Sequence, residues 1–334
     1  MYELLGISLV LASLLTINAG ASLAAAACWR FIEGPLRTRS ARTRAEVLFA
    51  MRVSPPVLAL ISVTLFLVPS YIRYEPYTTA EVVSKKLAAL ATLSAIGVTF
   101  ALWRALRSSL ATRSLRREWL ANAVQIKLEG TGIPVFRISN SFPIIAVVGI
   151  MRPRLFIAEQ VLEILSEEEL TAAIAHESGH LSAHDNFKRS LLRACRDVLM
   201  IVPCGRSLDR AWAAAAECAA DEHAAQQSAE TALNLASALV KIAKMVPVGA
   251  RVAVPMAAFL VGVEENGGLK RRVRSLLEIA SHGRGRRVCN LAIARVLPAT
   301  SLGLLLFLGL ALASSPQVLV TVHTVIEHAV KLLS

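Results

Sequence analysis

Apolar and polar positions are grouped along this chain rather than evenly mixed. Leu4 to Trp29 is almost wholly apolar apart from Asn18 and small hydroxyl side chains, and a membrane-spanning helix needs ~20 such residues. A second apolar run, Pro56 to Ile72, is short and contains Pro69. At that length a buried helix of a soluble domain is the competing reading. Leu87 to Leu106 is a third run, and Leu297 to Ser314 a fourth, wide enough to span if its ends contribute. The pattern predicts three N-terminal spans (4–29, 56–72 and 87–106) within residues 1–107. A globular domain over 108–295 follows, and then a fourth span with a short tail over 296–334.

Within the globular part, Trp119 to Leu128 reads as a short helix. Pro134 to Ser139, Ile144 to Val148 and Leu155 to Ala158 are β-rich runs, separated by turn signals at Asn140-Ser141 and Gly149 to Pro153. They predict a small sheet whose outer strand is either covered or open to an extended peptide by strand addition. Ser166-Glu167-Glu168-Glu169 is an N-cap followed by a capping box, with acids in the first turn. Leu170, Ile174 and Leu181 then recur at helical spacing. Further helices are predicted over Phe187 to Ile201, Asp209 to Ser228, Ala232 to Met245 and Leu269 to Ile279. Val252 to Val263, around Pro255, reads as core rather than membrane re-entry, Glu264 to Gly268 as a turn and Ser281 to Arg287 as a basic loop. The tail Gln317 to Leu333 is helix-like, with His323 and His328 interfacial or solvated rather than metal ligands.

Charge gives the spans a direction. Counting both ends, six arginines lie from Arg30 to Arg52, which marks that loop as cytoplasmic. Arg73 to Lys86 carries three basic and two acidic residues and is placed outside. Arg104, Arg107, Arg113, Arg116 and Arg117 form a second basic cluster, again inside. The N-terminus is therefore expected outside, and the globular domain in the cytoplasm. A cleaved signal peptide would need a basic start, and Met1-Tyr2-Glu3 has none.

Composition agrees with a mixed membrane protein. The chain is 55% hydrophobic and 18% charged, with a mean hydropathy of +0.55, against ~25% charged in ordinary soluble domains. The net charge of +12 sits beside apolar runs, so it fits a membrane surface, and no direct nucleic-acid binding is expected. The five cysteines (Cys28, Cys195, Cys204, Cys218, Cys289) form no C-x-x-C pair, which fits a reducing compartment.

The candidate chemistry lies in Ala173-Ile174-Ala175-His176-Glu177-Ser178-Gly179-His180. Residues four apart share a helical face, so His176 and His180 aim two imidazoles at one point, as tetrahedral zinc requires. Glu177 beside them can take a proton from water. This is the H-E-x-x-H zinc-protease pattern. With seven histidines in 334 residues, a chance match is rare.

A catalytic zinc usually has three protein ligands. A third histidine six residues after His180 is excluded, because that position is Asn186. Glu217-Cys218-Ala219-Ala220-Asp221 again places two acids four apart. Glu217 can close a His₂Glu site, and Asp221 can orient a ligand imidazole. Asp185, Glu222 and His223 are rival ligands. Cys218 reads as a small buried residue, and His184 as the end of the motif helix.

Three segments carry a family resemblance: Gly149 to Ile157; Ser166 through the His176–His180 motif to Asp185-Asn186; and Glu217 to Asp221. The chain resembles the BlaR/MecR-type integral membrane metalloproteases, antirepressor sensors of β-lactam response systems. More distantly it is similar to the HtpX/CAAX-endopeptidase clan. The resemblance implies a Zn²⁺ cofactor held by His176, His180 and Glu217, with Glu177 as base and Asp221 as a supporting residue. Lys270-Arg271-Arg272-Val273 resembles a basic segment late in the family domain. The departure is at the C-terminus, where the family's sensors carry a penicillin-binding domain; here about twenty residues follow the last apolar run, so antibiotic sensing is not carried over.

The expected fold is a mainly α membrane protein, with about four transmembrane helices plus a cytoplasmic α+β, gluzincin-like zinc protease domain containing a small β-sheet. The expected function is zinc-dependent endoproteolysis of a cytoplasmic protein, a transcriptional repressor in signal transduction, at the inner (plasma) membrane. An HtpX-like quality-control protease and a non-catalytic zinc scaffold are the rival readings. Partners are a protein or peptide substrate and the lipid bilayer, with a homodimer as an open assembly. His223 or an arginine is the expected oxyanion donor.

Overall fold

The computed structural model describes residues 2–77, 83–128, 131–198, 205–246, 267–282 and 307–333. The apolar run Val252 to Val263, most of the turn at Glu264 to Gly268 and of the loop at Ser281 to Arg287, and the start of the fourth apolar run lie outside these residues.

Three long helices form the N-terminal part: α1 (Tyr2–Leu36), α2 (Ala41–Tyr74) and α3 (Lys85–Ala121). Each is long and apolar enough to cross a membrane, and only 28%, 28% and 22% of their most apolar stretches are buried within the protein. The remainder, including Leu4, Ile96 and Leu102, faces outward, an arrangement stable where the solvent is lipid. The segment Arg30 to Arg52, expected as a loop, is instead mostly helix: α1 runs on to Leu36, and α2 starts after Ser40, whose side chain accepts from Thr43 N. Arginine is a good helix former, and the first turns of α2 have an apolar face of their own. Ala45 and Leu48 are buried there. α2 continues through Pro55, Pro56 and Pro69, with a π-helical turn at Ser62–Leu67. Such breaks are tolerated in spanning helices when local adjustments satisfy the freed carbonyls.

α3 also outruns its apolar core and carries the second arginine cluster. It stops at Ala121, so the helix expected over Trp119 to Leu128 is not formed. Val124–Ile126 is strand β1 instead. Pairing decides this: β1 lies antiparallel to β2 (Val135–Ile138), with Gln125 opposite Phe136. β3 (Ile145–Val148) and β4 (Arg154–Ala158) complete a sheet of order β1-β2-β4-β3. β2 and β4 are parallel, and β3 and β4 antiparallel. The turn between β3 and β4 needs Gly149 at φ +110°, where an added Cβ would meet Arg152 O at 2.9 Å. Phe156 is fully buried, stacked on Phe136 and edge-on to Trp119.

The helices that follow are α4 (Glu159–Ile164), α5 (Glu167–Ala183), α6 (Asp185–Val198), α7 (Gly205–Ala225), α8 (Ala229–Met245) and α9 (Gly267–His282). The sheet core joins α5 through Ala172 and Ala173, α8 through Leu235 and Leu239, and α9 through Leu276. A second cluster docks the start of α2 on α6 and α7, with Leu48 against Leu192, Leu208 and Trp212. Arg52, 3% exposed, donates to Asp209 on α7 at 3.1 Å.

The last described helices, α10 (Phe307–Ala313) and α11 (Pro316–Leu333), meet at 84° and count as a fourth span only if the bent pair is one crossing. α11 is not a free tail. Ile326 and Val330 pack with Leu5, Leu67 and Tyr71, and Leu319 O accepts from Ser70 Oγ at 2.7 Å. From Leu48 to Leu67 along α2 is ~28 Å at helical rise, close to the ~30 Å hydrocarbon core. The protein thus has a site-bearing end and an opposite end where both termini gather.

Candidate metal centre

α5 starts where the capping box predicts. Ser166 Oγ accepts from Glu169 N at 3.3 Å, and Glu169 Oε2 accepts from Ser166 N at 2.9 Å. Ser237 Oγ and Lys241 Nζ on α8 also donate to Glu169, at 2.6 and 2.7 Å. Burial would raise the Glu169 carboxyl, but these donors hold it below its usual value. The helix ends at His184, the described non-glycine residue with positive φ (56°), whose N–H returns to His180 and Leu181 carbonyls.

Close packing of α5 on α7 brings the candidate ligands together. Gly179 faces Ala220, where an added Cβ would lie 3.0 Å from Ala220 Cα. The alanines of α7 therefore act as a flat bed, and Glu217 reaches the two histidines. His176, His180 and Glu217 each offer a ligand atom within 4.8 Å of the others. His180 Nε2 is 3.6 Å from Glu217 Oε1, and His176 Nε2 is 3.8 Å from Glu217 Oε2. Two atoms each ~2.1 Å from one tetrahedral ion stand ~3.4 Å apart. His176, His180 and Glu177 are essentially inaccessible to solvent. His176 Nε2, His180 Nε2 and Glu177 Oε1 are buried without a hydrogen-bond partner, and Glu217 Oε2 accepts no hydrogen bond but is ion-paired to Arg272 Nη1 at 3.2 Å. Orphaned buried polar atoms are costly, and three of them beside the Glu217 carboxylate fit a divalent metal with an adjacent base.

The other imidazole nitrogens face acids. Asp221 Oδ1 lies 2.9 Å from His176 Nδ1, and Asp185 Oδ2 lies 2.6 Å from His180 Nδ1. Both rings are therefore turned with Nε2 toward Glu217. Asp185, weighed as a rival ligand, takes this orienting position, and its signal was its spacing of five from His180. Glu222, another rival, accepts from Ala41 N at 3.1 Å at the start of α2. His223 sits half-buried beside Gly179, its imidazole pKa lowered by burial and by Arg42. It is not among the three converging residues. Cys218 is half-buried, and burial raises its thiol.

Arg272 is the residue the sequence left without a role. Its Nε and Nη2 donate to the two oxygens of Asp221, each at 2.7 Å, and Nη1 lies 3.2 Å from Glu217 Oε2. Arg189 Nη2 stands 3.8 Å from Glu217 Oε1.

Electrostatics sort the groups. Burial lowers His176 and favours the neutral form. Burial pulls His180 the same way, yet Glu217 and Asp185 hold it up at about 10, so proton and metal compete for this ring. Burial would raise Glu217, but His180 and Arg272 keep it well below the usual carboxylate range. Asp221, against the same desolvation, is held down to about 2 by Arg272. Glu177 goes the other way: burial, with Glu217 nearby, pushes it up to about 7. One carboxyl poised near neutrality beside one fixed as an anion is the separation expected of a base and a ligand. Glu177 Oε2 accepts from Val147 N on β3 at 3.3 Å, while Asn186 Nδ2 donates to Val147 O and Gly149 O at 2.9 and 3.2 Å. The outer side of β3 at Val147 is thus engaged by Glu177 and Asn186.

No curated protein matches this chain at a significant level. Residues 109–216 match the model of peptidase family M48, a stretch running from the end of α3 through the sheet, α5 and α6 to the residue before Glu217. The chain is similar to M48 metallopeptidases over that stretch, joined to apolar helices, and the match does not single out the BlaR/MecR type.

Proposed function

We propose that this chain is a membrane-embedded zinc metalloendopeptidase that cleaves a cytoplasmic protein. The observation that carries the reading is the convergence of the buried, unpartnered Nε2 atoms of His176 and His180 on the Glu217 carboxylate, beside the unpartnered Oε1 of Glu177. When bound, zinc supplies Lewis acidity at that point and lowers the pKa of water toward ~7. Glu177, near neutrality, accepts the proton of the attacking water and delivers it to the leaving amine. Asp221 and Asp185 hold the two rings in register. For the oxyanion, Arg189, whose Nη2 stands 3.8 Å from Glu217 Oε1, is a candidate donor beside His223.

Charge supports one orientation over the other. The arginines of α2's first turns and of the end of α3 lie on the site-bearing side, which supports a cytoplasmic site at the inner membrane with the N-terminus outside. A transcriptional repressor as substrate rests on the BlaR/MecR resemblance. The M48 match, which carries peptidase chemistry without that specificity, favours as a second reading a protease of broader range acting on membrane proteins.

The test uses the full chain in lipid nanodiscs. Glu177→Gln should keep its zinc and lose ~10²–10⁴-fold in peptide cleavage; undiminished cleavage refutes the base. Zinc without cleavage of any protein by the unaltered chain would point to a scaffold. Proteomics of cells carrying the inactive variant separates the substrates: one stabilised repressor, or many stabilised membrane proteins.

A further inference from the structure

We propose that Arg272 is a positioning residue of the metal centre, fixing the ring of His176 through Asp221 and the carboxylate of Glu217 directly. The inference rests on the reading of His176, His180 and Glu217 as metal ligands.

Arg272 lies on α9, far along the chain from the motif helix, and is 6% exposed. Its guanidinium engages two different acids of α7. Nε and Nη2 grip both oxygens of Asp221 at 2.7 Å, the parallel two-bond geometry that fixes a carboxylate in position and in plane. Nη1 reaches Glu217 Oε2 at 3.2 Å. Asp221 Oδ1, one of the gripped oxygens, is the atom 2.9 Å from His176 Nδ1. A continuous chain therefore runs from Arg272 through Asp221 and His176 Nδ1 to His176 Nε2, the buried, unpartnered nitrogen aimed at the centre.

The acids need this partner. Asp221 is 4% exposed and Glu217 has a side-chain exposure of 15%. Two carboxylates this close, this deep and without a cation would repel each other and take up protons. A guanidinium balances one charge and leaves one net negative charge to meet a divalent cation. α9 has an anchor independent of Arg272: Leu276 is fully buried in the main core, with Leu269 and Val273 packed against it. Lysine cannot reproduce the arrangement, because a single ammonium offers no planar fork to span both Asp221 oxygens while reaching Glu217.

The experiment measures metal binding rather than turnover. The full-length chain in nanodiscs is stripped with a chelator and titrated with Zn²⁺ against a chromophoric competitor, and with Co²⁺ for its visible absorption. Arg272→Lys should bind Zn²⁺ ~10–100-fold more weakly than the unaltered chain, with a shifted Co²⁺ band. Its metal-free thermal midpoint should stay close to that of the unaltered chain. Asp221→Asn, similar in shape, should show a comparable loss. The double variant should be no weaker than the worse single one, because both act along one path. Unchanged Zn²⁺ affinity and Co²⁺ band in Arg272→Lys overturn the inference. So does unchanged binding in Asp221→Asn, or a double variant that loses the product of the two factors. Failure of the unaltered chain to bind either ion would instead overturn the ligand reading itself, a result distinguishable from all of these.

Discussion

Phe156 and Leu102 are both large apolar residues of this chain, and they are treated in opposite ways. Phe156, in the central strand β4, is fully buried between Phe136 and Trp119, whereas Leu102, on α3, is 67% exposed. The same division separates the two regions they belong to. In the sheet domain the apolar positions turn inward, β3 and β4 are almost wholly inaccessible, and the acids and histidines of the candidate site share that interior. In the bundle many large apolar positions turn outward, and small or polar residues such as Ser70 and Ser94 are buried beside Leu5, Leu67 and Leu87. One region is organised by expulsion from water, and there a buried charge must find a partner. The other takes its apolar faces to lipid and packs through backbone proximity.

The comparison is broken most severely at the interior charges. His180→Ala or Glu217→Gln removes one of the three proposed ligands and should abolish both metal retention and cleavage, read by metal analysis and peptide hydrolysis on the same nanodisc sample. Retained stoichiometric zinc in Glu217→Gln would exclude Glu217 as a ligand. Next in size, Phe156→Ala should cost about 3–5 kcal/mol by leaving a cavity in a core that cannot collapse around it, seen as a marked fall in thermal midpoint. Glu169→Gln should cost about 1–3 kcal/mol by weakening the bonds from Ser166, Ser237 and Lys241. Its pH dependence has a definite sign. The folded-state carboxyl lies below its ordinary value, so its contribution is present above the unfolded pKa of about 4.3. That contribution is lost as pH falls through the lower folded value. The Gln variant should therefore lose less stability between pH 5 and 3 than the unaltered chain, a difference read by parallel melts. The smallest effect, within about 0.5 kcal/mol, is expected for Leu102→Ala in a bilayer, and a large drop there would mean that α3 is packed against something other than lipid.

Much of the site was legible because its signals are local. The four-residue spacing of His176 and His180, the capping box at Ser166 and the second four-residue pair at Glu217 and Asp221 each depend on one helix, and a single helix is what periodicity reports. The three longer strands were legible for the same reason. What escaped depends on distant partners. The first turns of α2 read as a basic loop because their apolar face meets α7 more than 150 residues later in the chain. β1 read as helix because three residues take their state from pairing with β2. Arg272 had no visible role because an arginine on an amphipathic helix looks solvated until the acids it grips are seen beside it.

Val147 has one peptide hydrogen, and Glu177 already occupies it. Its carbonyl is likewise engaged by Asn186. A polypeptide guest aligned along β3 would claim those same two groups, so seating it there and tethering Glu177 are mutually exclusive.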